Sequence, residues 1–290
     1  MYNFEIFTDS SADLPNEIIE QYHLQVMQLE VTIDNKEPVL NKNLDIKSFY
    51  EQLRAGANAK TAAVTLGCFE EHMRACLESG KDILYVGFSS GLSATYNNGV
   101  MIIRELEELF PERKICYIDT LCASAGQGLL VYYAAKLRDK GLHIDEILEE
   151  LERTKDYIQH QVTVDDLFFL QRGGRLSTAS AIAGSVLKVK PIIVMDEKGY
   201  LNSVAKIRGR KKVIKELFTR LKANENFQKL AYVFITHADC ESDAQNLKEM
   251  INVDFPEVEV VISDIGPVIG AHTGPGGLVL CYLGTEVKGK

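Results

Sequence analysis

The sequence predicts an α/β fold in two domains. Short apolar, β-branched runs alternate with helix-period segments through the first half of the chain. Hydroxyl-rich turns follow three of those runs: Thr8 to Ser11, Ser89 to Ser93, and Asp119-Thr120. After Gln161 the texture changes to glycine-rich and small-residue segments between strands. The expected division is 1–160 for an N-terminal domain, with a parallel sheet and helices on both faces, and 161–290 for a C-terminal α/β domain with a mixed sheet. Parallel sheets collect ligands at the carboxyl ends of their strands, so the three turns are expected on one edge.

Phe4 to Phe7 reads as the first strand, and Leu14-Pro15 opens a short helix to Tyr22. Val26 to Ile33 alternates like a second strand. Asp45 caps a helix through Leu53 that stops at Gly56, and Lys60 to Thr65 reads as an exposed connection before a helix from Phe69 to Leu77. Ile83 to Phe88 is a buried strand. Ser89, Ser90 and Gly91 break it, and Tyr96, Val100, Ile103, Leu106 and Phe110 then recur with helix period. Ser93 is therefore the expected N-cap, its hydroxyl projecting toward an anion-attracting helix start. Ile115 to Ile118 is a strand, followed by helices ending near Lys140 and Tyr157.

In the second half, Ala179 to Leu187 reads as a buried helix of small residues. Pro191 to Met195 and Leu201 to Ile207 form a strand pair, and Arg208 to Lys222 a basic helix. Leu230 to Ile235, Val258 to Ile262 and Leu278 to Leu283 are further strands, with a helix from Ser242 to Ile251.

Composition excludes several classes. A net charge of -9, from 41 acidic and 32 basic residues, argues against nucleic acid. No run is long enough for a membrane span, so integral membrane association is not expected, and the N-terminus does not read as a signal peptide. The six cysteines form no C-x-x-C pair and read as small hydrophobes in a reducing compartment. No metal or cofactor is expected: Asp165-Asp166 lacks further ligands at a useful spacing, and no P-loop or dinucleotide fingerprint is present.

His272 lies among Gly270, Gly274, Gly276 and Gly277, which could present it at an edge; the competing role is structural. Ser93 and His272 together leave a serine hydrolase or acyltransferase open, though Gly91-Leu-Ser-Ala-Thr95 lacks the nucleophile-elbow spacing. A small phosphorylated-metabolite binder, with Arg172 or Arg175 as clamp, is a further alternative.

Six motifs, in order, are similar to those of the DegV family, the fatty-acid-binding subunits of bacterial fatty acid kinases. They are Thr8-Asp-Ser-Ser-Ala-Asp-Leu14, Ser89 to Tyr96, Asp119-Thr120, Asp165-Asp-Leu167 with Gly173-Gly-Arg-Leu176, Lys190-Pro191, and Ile265 to Gly276. The resemblance covers essentially the whole chain. It implies a cytoplasmic protein that is not itself an enzyme. A long-chain fatty acid would be buried in a cavity enclosed by the helices and sheet of the second domain. Its carboxylate would be held by Thr61, Ser93, helix amides near Ala94, and His272. A separate ATP-dependent kinase subunit would phosphorylate it to an acyl phosphate for phospholipid synthesis. Tail contacts are expected from Phe168, Phe169, Ile182, Ala183 and Val186, and from Leu187, Ile192, Val194, Val268 and Ile269. Arg172, Arg175 and Arg208 are expected to dock the kinase. One departure stands out: the family's Thr-Ser-x-Pro-Ser is here Thr61-Ala-Ala-Val-Thr65, which keeps only the threonine of the Thr-Ser pair and lacks the proline.

Overall fold

A computed structural model describes residues 3–176, 189–224 and 231–289. The expected helix from Ala179 to Leu187 lies outside these residues.

Four parallel strands form the first sheet, in the order β2 (Gln25–Met27), β1 (Phe4–Asp9), β6 (Asp82–Gly87), β7 (Ile115–Asp119). Helices α3 (Leu66–Glu78) and α4 (Thr95–Leu109) cover one face, where Tyr85 packs against Phe69 and Tyr96. Helices α5 (Ala125–Asp139) and α6 (Ile144–Lys155) cover the other.

The second sheet has six strands, in the order β10 (Leu201–Arg208), β9 (Val189–Met195), β8 (Ile158–Thr163), β13 (Leu278–Leu283), β11 (Tyr232–His237), β12 (Glu259–Asp264). Only β11 and β12 run parallel, so this sheet is mixed. Helices α8 (Arg210–Lys222) and α9 (Glu241–Asp254) close its outer face over a core that includes Ile192, Val213, Leu217, Val233 and Leu247.

Helix α5 lies between the two sheets, touching β1 and β6 on one side and β11 and β13 on the other. Tyr132 of α5 accordingly meets Tyr22 on one side and Tyr232 and Phe234 on the other. That explains why α5 is apolar nearly all round rather than striped. The close approach has a steric condition: a Cβ at Gly126 would fall 2.1 Å from the His160 ring.

Two local expectations change. Val26 to Ile33 is not one strand. The chain turns at Gln28 and Leu29, where Ser10 Oγ accepts Leu29 N at 3.1 Å, and β3 (Glu30–Ile33) leaves the parallel sheet. It joins a small antiparallel sheet of order β4 (Val39–Leu40), β3, β5 (Ala59–Ala62). So Lys60 to Ala62 is strand rather than connection, and Val64 beyond it is buried. The glycine-rich closing segment also contains a helix, α10 (Pro267–Thr273), with proline at its first turn.

Candidate functional site

The site begins where β6 ends. The turn from Phe88 to Ala94 is held from several sides. Asp9 Oδ2 accepts Phe88 N at 3.2 Å, and Asp119 Oδ1 accepts Ser90 N at 3.2 Å. Ser89 Oγ donates to Gly199 O at 2.9 Å, which fixes the β9–β10 hairpin against the turn. The hydroxyl-rich ends of β1 and β7 thus act as supports. Asp9 is fully buried, where Ser11, Phe88 N and Gln127 all donate to it, and burial raises its carboxyl's pKa.

Ser93 is not the N-cap. Ala94 takes that place without a side-chain cap, because the first helical residue is Thr95. The Ser93 hydroxyl still receives Thr95 N at 3.2 Å and lies 2.9 Å from Thr95 Oγ1.

His272 arrives from the far end of the chain on α10. That short helix is anchored at its start: Gly266 N donates to Asp13 Oδ1 at 2.9 Å, Val268 N to Asn41 Oδ1 at 2.9 Å, and Tyr50 OH to Ile265 O at 2.7 Å. Gly270 lets the helix approach α2 (Ile46–Arg54), since a Cβ there would lie 2.5 Å from the Tyr50 hydroxyl. Asp45 caps α2 as expected, accepting Ser48 N at 2.8 Å.

The decisive contact is Thr61 Oγ1 to His272 Nε2, 2.9 Å. It joins the end of β5 to α10. His272 is half-buried, not presented at an exposed edge. Burial, with Arg175 and Arg172 adding, pushes its ring down to about 4, so it is neutral at physiological pH. Its Nδ1 is buried with no hydrogen-bond partner among the described residues. Gly173 faces that nitrogen; a Cβ there would sit 2.2 Å away.

Thr61, Ser93, Ala94 and His272 line one cavity of about 220 Å³. Its remaining wall is mostly apolar: Leu29, Phe88, Leu92, Leu170, Leu201, Val268 and Ile269, with Ala62, Ala63 and Ala123. Thr273 and Arg175 complete it. Neutral hydrogen-bonding groups beside an apolar wall suit an amphiphile with a small polar head.

A family model described as an uncharacterised protein of the DegV family matches residues 3–284. A DegV domain-containing protein of Clostridium perfringens is 42% identical over 289 residues, covering 98% of each chain.

The chain belongs to the DegV family.

Solved DegV structures agree in fold. DegV of Bacillus subtilis, described as a fatty acid binding protein, shares 32% identity with a TM-score of 0.84 over 98% of this chain and 100% of its own. A DegV family protein of Thermus thermophilus, described by its fatty acid binding, shares 26% identity with a TM-score of 0.84 over 98% and 100%.

Within this DegV fold, the polar residues named from the sequence come together; the apolar ones do so only in part. Val268 and Ile269 line the cavity, and Phe169 packs at the edge of the main core. Phe168 does not line it, being 55% exposed under the Arg172 guanidinium; Leu170 faces inward instead. Ile192 packs into the outer core beneath α8 and α9. Val194, two residues along the same strand, shares that face, whereas Ile193 and Met195 join the core between the sheets. Ile182, Ala183, Val186 and Leu187 lie outside the described residues.

Arg175, expected on a docking surface, is instead part of the cavity wall. Arg172 and Arg208 are exposed. Leu29, Phe88, Leu92, Leu201 and Thr273 were not singled out from the sequence. Leu92 lies inside the Ser89 to Tyr96 motif with Phe88 just before it, and Thr273 lies inside the Ile265 to Gly276 motif beside His272; no local signal marks Leu29 or Leu201.

The Ser–His pair needed for a hydrolase is not formed. His272 Nε2 is engaged by Thr61, and Ser93 Oγ by Thr95. Asp166 accepts Phe168 N at 2.9 Å, and Asp165 pairs with Lys190 and Arg210. No helix among the described residues is long and apolar enough to cross a membrane.

Proposed function

We propose that this protein binds a long-chain fatty acid and presents its carboxylate to an ATP-dependent fatty acid kinase subunit, which phosphorylates it to an acyl phosphate for phospholipid synthesis. The observation that carries the reading is the Thr61–His272 contact beside Ser93 on an apolar cavity. The fatty acid binding described for the Bacillus and Thermus relatives supports it.

The energetics fit. A sixteen-carbon tail carries about fifteen apolar groups at roughly 0.8 kcal/mol each, so about 12 kcal/mol gross before ordering costs. The head must then be satisfied, because an unpaired charge out of water is expensive. The chain performs no chemistry itself in this account. It acts in the cytoplasm, with residues 1–160 supplying the loops that hold the carboxylate and 161–290 enclosing the tail. Exposed Arg172 and Arg208 form the kinase-docking surface.

Reconstitution with a fatty acid kinase subunit, ATP and hexadecanoate tests this. Acyl phosphate should form only when all components are present, and Arg208→Ala should reduce it without changing fatty acid affinity. Acyl phosphate formation by this chain alone, or none with the kinase, contradicts the reading.

A further inference from the structure

The polar end of the cavity draws on two separate sheets. Thr61, Ala62 and Ala63 come from β5 and the segment after it, which belong to the small antiparallel sheet. Ser93 and Ala94 come from the turn between β6 and α4, on the parallel sheet. A ligand head that touches both Thr61 and Ser93 therefore depends on how these two pieces are held against each other.

The β5 ladder with β3 runs as far as Ala62, which lies opposite Glu30. The next anchor is Thr65, whose Oγ1 accepts Cys68 N at 3.2 Å and caps α3. Ala63 and Val64 connect the two anchors. Neither has a polar side chain, and the connection has no proline to stiffen it. Asn98 holds it from outside. Its Nδ2 donates to Val64 O at 2.9 Å, and its backbone N donates to Ala94 O at 2.9 Å. One residue thus grips the β5–α3 connection with its side chain and the turn carrying Ser93 with its backbone. Asn98 is half-buried and does not line the cavity.

We propose that Asn98 is a positioning residue: it fixes Thr61 relative to Ser93, so that both meet one ligand head. This rests on the fatty acid reading and deepens it. Without the side-chain amide, the connection loses its tie to α4. Thr61 must then be ordered each time a head arrives, and that ordering is drawn from the binding energy. A donor is required at position 98, because Val64 O can only accept.

The test is calorimetric titration of the delipidated full chain with hexadecanoate. Asn98→Ala and Asn98→Leu both place a strong helix former in α4 and remove the donor; leucine also keeps the volume. Each should weaken hexadecanoate by about twofold to tenfold, the range for one neutral hydrogen bond. In a Thr61→Val background, where the positioned hydroxyl is already gone, Asn98→Ala should change the affinity by less than about twofold and by less than it does in the wild type. Unchanged binding in Asn98→Ala overturns the assignment. So does wild-type affinity in Asn98→Leu, which would mean that the side chain only fills space. Equal losses from Asn98→Ala in the wild type and in Thr61→Val also overturn it, because the amide would then act through something other than Thr61. A wild type that takes up no hexadecanoate overturns the fatty acid reading itself, which separates the two failures.

Discussion

Replacing Gly173 with alanine perturbs the polar cluster through a single methyl group. Gly173 has a right-handed backbone, φ -73°, so alanine meets no dihedral strain there. The obstacle is steric. The new Cβ would lie 2.2 Å from His272 Nδ1 and 3.0 Å from Cε1. To restore van der Waals contact, the ring must retreat by roughly 1 Å. The Thr61–His272 bond, now 2.9 Å, would not survive that displacement within hydrogen-bonding range. Overpacking of this kind costs about 1–3 kcal/mol. In a chain of this size that lowers Tm by about 2–4 °C for each kcal/mol. Losing one hydrogen bond to the ionised ligand head adds about 1.5–3 kcal/mol, or roughly tenfold to a hundredfold in Kd. Calorimetry and hexadecanoate titration read both effects. Gly173→Ala/His272→Ala removes the obstructing ring, so its Tm should exceed that of Gly173→Ala alone. Wild-type Tm and affinity in Gly173→Ala would refute the geometry.

Other predictions follow from the same structure. Burial between Ser124 and Gly266 pushes the Asp13 carboxyl up from the ordinary 3.8 to about 8. The unfolded chain releases this proton first, so the group's stabilisation is complete below 3.8 and lost as pH rises through about 8. The slope is up to about 1.4 kcal/mol per pH unit. Asp13→Asn stays neutral and tolerates the left-handed φ of 48°. Urea unfolding from pH 5 to 8 should therefore show the variant gaining on the wild type as pH rises, and parallel curves would contradict this. The His272 ring, held near 4, should show a flat NMR shift from pH 8 down to about pH 5.5; a midpoint near 6.5 would mean it is not buried as described. Ser93→Ala should weaken hexadecanoate by roughly tenfold to a hundredfold, the range for a hydrogen bond to a charged group, with helical content intact. An unaltered Kd would remove Ser93 from the site.

What was legible in the sequence depended on locality. Leu278–Leu283 is a continuous apolar run, and its bounds match the strand. Asp45 sits three residues before the amide it caps, so the signal lay within one turn. β5 was hidden because Ala59 to Ala62 is short and carries polar residues; what makes it a strand is its pairing with β3, about thirty residues away. Helix α10 was masked by its own glycines, which read as loop. Gly270 is there for contact with Tyr50, not for flexibility. Ile192 and Ile193 are equally apolar, and only the register, with Ile193 opposite Val162, tells which faces inward. Ser93 and His272 are legible locally, from a turn before a helix-period run and from a glycine-rich setting, whereas Thr61 is legible only through motif resemblance. Their meeting depends on a 211-residue separation that no local pattern encodes. Arg175 was legible as a basic residue near a glycine pair, but its burial was not.

The most direct measurement is native mass spectrometry of freshly purified protein, followed by denaturation and analysis of released lipid. The account predicts one fatty acid per chain, of a length and saturation the analysis will define. A protein that is empty, and that also fails to take up added hexadecanoate, would contradict it.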